Sequence, residues 1–489
     1  MAGIGFELKK IYKKNTVAAH IKGGFYSVFV TIGHVLITIG VLMVVKVLLR
    51  DSFDSLYSEQ LYSAIVVHSF IFPLIFTSGI TIVLSRYIAD KLWNRKHADI
   101  ASSILGVLTL YVVVFSWPGI GLLGRGQDLP LLLKILSYLL YMQMGLIYLL
   151  MTYVSALKNY KEIAQSFIVG MGTVIGLVLL TKEFLYQNDA IVVYLIFYFA
   201  LGTLLTLIGL YMAVRKVFKQ MNGNYFEFLL YFKKYPKLFF SNVAYTITLY
   251  AHNFLFWNHP ATKQQVSVFH FSEAFDLATA FAVYSILPAA VLFVVRTEVF
   301  FYDTYRAYLD AINYGTGSEI KKRKQEMERS MWEEFLYSME VQGLISLFCL
   351  IIGLLFFKQT GAPSLTNEVF PALVLGIYLL YFSFLGGTLM QYFENYDDSM
   401  RTFLLGLFLN LVFGQLTLMM GRDFYGMGVV FSSFLTLAYT MVKLRETLQE
   451  INFVIFTTGA LRPSLTRGRF EKFVAALNDG VEKNETIIE

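Results

Sequence analysis

Apolar runs of roughly 20 residues, the length an α-helix needs to cross hydrocarbon, recur about twelve times along the chain. They extend from Phe25 to Leu49, Leu61 to Leu84, Ile100 to Leu123, Leu131 to Ala156, Ile163 to Leu180 and Ala190 to Val214. A second set follows from Pro236 to Trp257, Phe275 to Val295, Ser338 to Phe357, Val369 to Phe393, Thr402 to Met420 and Tyr425 to Val442. The pattern predicts an all-α polytopic membrane protein. One basic stretch, RKVFKQMNGNYFEFLLYFKKYP, separates the two sets near the middle. Two lobes are therefore expected, at 25–214 and 236–442, joined by a linker at 215–235. A short amphipathic segment at 1–24 precedes them, a polar helical segment at 296–336 interrupts the second lobe, and a tail at 443–489 follows.

Composition agrees, since 489 residues that are 56% hydrophobic and 15% charged hold more apolar surface than a soluble domain could hide. An even span count returns both termini to one side. Of 40 Lys and Arg, only Lys46, Arg50, Arg125, Lys134, Lys182, Lys263, Lys358 and Arg422 fall at the ends assigned outside. The others, including Lys9, Lys10, Lys13, Lys14, Arg215, Lys216 and Lys321 to Lys324, lie opposite, so both termini are expected in the cytoplasm and the chain in the cytoplasmic (inner) membrane. The net charge of +6 then reflects topology and anionic headgroups rather than a nucleic-acid partner. A single cysteine, Cys349, excludes a disulfide framework and a cysteine metal site. The first apolar run follows a basic head and is about 25 residues long, a full span rather than a signal-peptide core.

Ionisable and aromatic groups inside such spans are the candidate chemistry. The stretch from Pro236 to Ile312 concentrates them: His252 in the seventh span, then His259, His270, Glu273 and Asp276 in the following loop and at the mouth of the eighth, then Arg296 and Glu298 near its inner end. Together they suggest a lined passage. Asp276 and Glu273 are candidate cavity acids, against the plainer reading of solvated interface positions. His252 and His68 are candidate titratable cavity residues or ordinary hydrogen-bonded histidines. Arg296 and Glu298 form a candidate gate pair or a structural ion pair. Tyr138, Tyr141 and Tyr148 share one helical face and suit stacking on sugar rings, or simple helix packing. Pro73 and Pro288 interrupt the second and eighth spans at similar depth, where broken helices of a transporter mark its central site, unless the match is coincidence. The run EIKKRKQEMERSMWEE, Glu319 to Glu334, is expected to extend the preceding helix beyond the membrane.

Neither a phosphate-binding G-x-x-x-x-G-K-[ST] loop, nor H-E-x-x-H, nor G-x-S-x-G occurs. An enzyme is disfavoured, no cofactor or metal is expected, and transport driven by an ion gradient or a partner is favoured.

The opening MAGIGFEL, the HNFLFW of His252 to Trp257, RTEVFFYDTYRAYLDAI and LMQYFENYDDSM together resemble the PelG family of Pel exopolysaccharide transporters, over nearly the whole chain. His252 and the pair Asp397 and Asp398 depart from the family's pattern near two of these motifs. The resemblance implies the multidrug, oligosaccharidyl-lipid and polysaccharide flippase superfamily, with two six-helix lobes around a central cavity and alternating access. It implies a cationic amino-sugar polymer as substrate, made by a cytosolic PelF-like glycosyltransferase, with small PelD/PelE-like membrane partners, one of them sensing cyclic di-GMP. A lipid-linked oligosaccharide flippase or multidrug extruder of the same superfamily is the alternative. A non-transporting scaffold for a polysaccharide synthase, anchored through Arg296 to Glu334, is another.

Overall fold

The computed structural model describes residues 37–49 apart from 39 and 43, 51–156, 160–296, 301–460 and 468–488. The N-terminal segment, most of the first span and Glu298 lie outside the described residues. The chain falls into two compact units, one of residues 34–250, 263–271 and 457–489, the other including 251–262 and 272–456.

In the first unit, helix α1 (Leu56–Trp93) is followed by α2 (His97–Gly124), α3 (Leu131–Ala156), α4 (Tyr160–Leu185) and α5 (Ile191–Val217). Helix α3 packs on α1, α2 and α5, and α4 packs on α5. Helices surrounded by hydrocarbon gain little from burying apolar surface, so close backbone approach holds them together. Gly202 supplies it between α4 and α5, lying against the Gly170 carbonyl. Ser55 caps α1 by accepting from the Ser58 amide, with Glu59 in the first turn.

The central linker is not a loose tether. It carries a short helix, α6 (Leu229–Lys234), and is held to the ends of α1 and α2 by buried charge. Lys91 reaches both Asp99 and Glu227, and Asp99 also accepts from Asn222 and Asn224. The Tyr225 carbonyl lies so close to Gly106 that no side chain fits there. The terminal helix α15 (Arg469–Ile488) closes over this linker, with Lys233 paired to Glu471 at 2.6 Å and the Phe226 amide donating to Asn478 at 2.9 Å.

Helix α7 (Pro236–Asn258) passes from the first unit into the second at residue 251. Its 23 residues have the length of a span, but Ser241, Asn242, Thr246, Thr248, His252 and Asn253 lower its apolar character. Ten other segments among the described residues are long and apolar enough to cross a membrane. The loop expected after α7 contains two antiparallel strands, β1 (Gln264–Val266) and β2 (Phe269–Phe271), which belong to the first unit. Their turn is two residues long, and Ser267 takes a left-handed φ of 54° in it.

The second unit continues through α8 (Glu273–Ser285), α9 (Leu287–Val295), α10 (Tyr302–Tyr314), α11 (Gly317–Thr360), α12 (Ser364–Tyr392), α13 (Tyr396–Met420) and α14 (Met427–Ala460). Helix α12 packs against α8, α11 and α13. Small residues bring α13 and α14 together, with Gly406 facing Thr436 and Gly428 lying on Phe413 and Gly414.

One local expectation changes here. The charged run Glu319 to Glu334 extends the following span rather than the preceding helix, because Gly315 ends α10 and Thr316 starts α11 by accepting from the Glu319 amide. Helix α11 is 44 residues long, so about 20 of them project beyond a hydrocarbon layer of ~30 Å. The acidic pair Asp397 and Asp398 occupies the first turn of α13, where Asn395 accepts from the Asp398 amide and the helix dipole favours negative charge.

Candidate functional site

The candidate residues divide between the two units. In the second, Asp276 lies in the first turn of α8 and faces Asn253 and Trp257, which share one face of α7. Trp257 Nε1 donates to both carboxylate oxygens at 2.8 and 2.9 Å, Asn253 Nδ2 donates at 2.7 Å, and the Ser272 amide donates at 3.0 Å. A carboxylate buried this deeply needs such donors, and here they join α7 to α8. Phe256 stacks on Phe275 beside them, with ring centroids 3.6 Å apart.

His252 lies next to this cluster, 1% exposed and edge-on to the Phe275 ring. Neither of its ring nitrogens has a hydrogen-bond partner among the described residues, and the Asn253 side-chain oxygen also lacks one. Most buried polar groups are paired. A titratable ring without a partner, beside a buried acid, is equipped to exchange a proton or meet a ligand. Glu273 opens the same helix, with His259 near Tyr425 on the adjoining loop.

Pro288 breaks the eighth span into α8 and α9. The break leaves carbonyls without helical amides. One of them, that of Ser285, accepts from Gln342 Nε2 of α11 at 2.7 Å. Gln342 is fully buried and also donates to Ser346. Nothing in the local sequence singles it out, because its role depends on the break in another helix.

Arg296 pairs with Glu334 at 3.1 Å and lies 3.7 Å from the Tyr337 ring centroid. Its sequence-expected partner, Glu298, is outside the described residues.

In the first unit, α1 runs unbroken through Pro73. The proline has no amide for the Ser69 carbonyl, and Thr77 donates to the Pro73 carbonyl at 2.7 Å. His68 bonds the Ala64 carbonyl through Nδ1 at 2.8 Å and meets the rings of Phe72 and of Phe269 in β2. The three tyrosines fasten α3 to its neighbours: Tyr138 donates to Ser116, Tyr141 to the Phe115 carbonyl and Tyr148 to the Phe70 carbonyl. His68 and Tyr141 share the wall of a cavity of about 190 Å³. His270 is on β2, where burial and then Lys263 hold its imidazole below the ordinary pKa. Among the described residues no three His, Cys, Asp or Glu side chains gather as a metal site.

The family model for PelG, described as "Putative exopolysaccharide Exporter (EPS-E)", matches residues 1–456. The chain belongs to the PelG family. A search of curated proteins finds no match. Among solved structures, this PelG-family chain is similar to an outward-facing multidrug resistance MATE family transporter of the MOP superfamily. That match has a TM-score of 0.60 and 14% identity over 87% of this chain and 96% of the other. A MOP superfamily transporter from Pyrococcus furiosus Vc1, described as having a binding pocket of reverse polarity, gives a TM-score of 0.57 at 14% identity, with the same coverage of each chain. A MATE structure in the straight conformation gives 0.58 at 13% identity over 88% and 96%. These likenesses establish the fold. With the family, they make this PelG-family chain a multi-pass membrane transporter rather than an enzyme.

Proposed function

We propose that this transporter exports a Pel-type exopolysaccharide, an amino-sugar polymer of biofilm matrix, across the cytoplasmic membrane with both termini in the cytoplasm. The observation that carries the reading is the family match over residues 1–456, which includes every candidate residue named above. Polymer made by a cytosolic PelF-like glycosyltransferase is passed on with PelD/PelE-like membrane proteins as partners. The lobes at 25–214 and 236–442 work by alternating access or as a conduit.

In this reading Asp276 and Glu273 attract the cationic sugar or carry the coupling proton, with His252 as the exchangeable group beside them. The uncommitted nitrogens of His252 and the uncommitted oxygen of Asn253 support that assignment. Arg296 serves the inner gate through Glu334.

Deleting the gene from its host tests the proposal. Secreted polymer should disappear while glycosyltransferase activity persists in lysates. Unchanged secretion would refute export and favour a small-molecule extruder, and loss of synthase activity itself would favour the scaffold.

A further inference from the structure

The cavity of about 190 Å³ in the first unit is lined by α1, α2, α3 and the hairpin, and its wall is mostly carbon. Phe72 and Phe76 come from α1, Leu122 from α2, Tyr141 from α3 and Phe269 from β2. The polar side chains on the wall are His68, Ser69, Ser137 and Tyr141. Two of these are committed, His68 to the Ala64 carbonyl and Tyr141 to the Phe115 carbonyl. Ser137, 3% exposed, has an Oγ without a hydrogen-bond partner among the described residues.

A sugar ring of this size would bring several hydroxyl or amino groups into a space that offers few partners. Each stranded polar group weakens binding by roughly tenfold. Hydrocarbon has no such penalty, and an apolar cavity of ~150 Å³ already holds a benzene ring. The surroundings supply hydrocarbon, because Trp117 and Ile120 of α2 and Leu131 and Ile135 of α3 are exposed on the same two helices, in membrane-spanning segments.

Charge at the α2–α3 turn says what kind of molecule carries the chain. Lys134 lies one turn from Ser137 on the same face of α3, and Arg125 follows directly on α2 beyond Leu122. Neither cation makes an ion pair among the described residues. The nearby Asp128, which feels the Lys134 charge, is already engaged by Ser267 and Tyr57. Two cations with no ion pair among the described residues, one turn from an apolar cavity, match an anionic headgroup and its tail.

We infer that this cavity seats an acyl chain of an anionic phospholipid of the surrounding bilayer, with Arg125 and Lys134 holding its phosphate. The lipid is then a built-in part of the α1–α2–α3 packing and not the transported molecule.

The test uses the full chain in nanodiscs of phosphatidylcholine doped with phosphatidylglycerol that carries a diazirine near its acyl terminus. After photolysis, label should concentrate on peptides containing Phe76, Leu122 and Tyr141, and unlabelled phosphatidylglycerol should compete it away. R125Q and K134Q break no ion pair seen among the described residues, and each should lower labelling by roughly fivefold, the factor one basic residue contributes at an anionic surface, with the melting temperature checked alongside. L122W should fill the cavity and remove the label. Label spread evenly over all lipid-facing helices, or indifferent to both charge variants, would overturn the inference. So would displacement by a polyprenyl phosphate but not by phosphatidylglycerol, which would assign the cavity to a lipid carrier.

Discussion

Asp276 shows how a side chain in an apolar span is made tolerable. Both oxygens are occupied by donors from Trp257, Asn253 and the Ser272 amide, so the charge is held in place rather than left in hydrocarbon. If it is also the exchangeable acid of transport, D276N should lower secreted polymer by roughly tenfold, the worth of one charge-assisted hydrogen bond, with the amount of membrane-inserted protein unchanged. Export at the wild-type level would remove Asp276 from the mechanism. The sequence exposes Asp276 and His252 because ionisable groups stand out in apolar runs. Their surroundings were not legible: Asn253 and Trp257 meet Asp276 only after a hairpin turns the chain back. The triad of Lys91, Asp99 and Glu227 was hidden for a related reason. Each looks like an ordinary charge at a helix end, and only the folded linker brings Glu227 to Lys91 across 136 positions. Removing the shared cation strands two acids, so K91M should cost about 3–5 kcal/mol in a thermal or denaturant melt. A shift within error would show that the pair contributes nothing.

Membrane-spanning helices were readable because their apolar runs are long, whereas the cap at Thr316, which starts a new helix before Glu319, went unread. The two prolines were equally visible, yet their consequences differ. Pro288 ends a helix, whereas Pro73 is accommodated within one, and neighbouring side chains decide between those outcomes. Gln342 is the neighbour at the first. Replacing it with leucine leaves the Ser285 carbonyl unserved and should destabilise the second unit by about 1–3 kcal/mol, measured as a lower unfolding midpoint. The hairpin was missed because three-residue strands give too short an alternation to read. Its anchor is Asp128, whose carboxyl is held below the ordinary range chiefly by the Ser267 hydroxyl, then by Tyr57 and Lys134. Because this carboxyl's pKa is lowered in the folded state, its contribution to holding the hairpin is fully present above the unperturbed value of 3.8 and is lost as pH falls through the folded one, while the buried Val266, Phe269 and Phe271 remain. Spin labels at Gln127 and Gln264 should therefore give a narrow distance distribution at neutral pH and a modestly broader one in acid. D128A should show that broader distribution at both, and a wild-type distribution unchanged in acid would contradict the assignment.

At the scale of the whole molecule, membership of the PelG family and the MATE-like fold make the chain a transporter. The recurrence of long apolar runs anticipated a polytopic membrane protein, because bilayer thickness acts on composition directly. What passes through was not legible in the same way, since a substrate path is lined by residues from distant helices. The acids Asp276 and Glu273 and the imidazole of His252 are consistent with several cargoes, and family membership is what favours a polysaccharide. The most direct test places polymer on one side of a membrane and asks whether it arrives on the other. Inverted inner-membrane vesicles from the host, supplied with labelled UDP-sugar, should accumulate polymer inside, protected from added glycosidase until detergent is present. Vesicles lacking this protein should make polymer that stays fully digestible. Protection that is the same with and without the protein would contradict its role as the exporter.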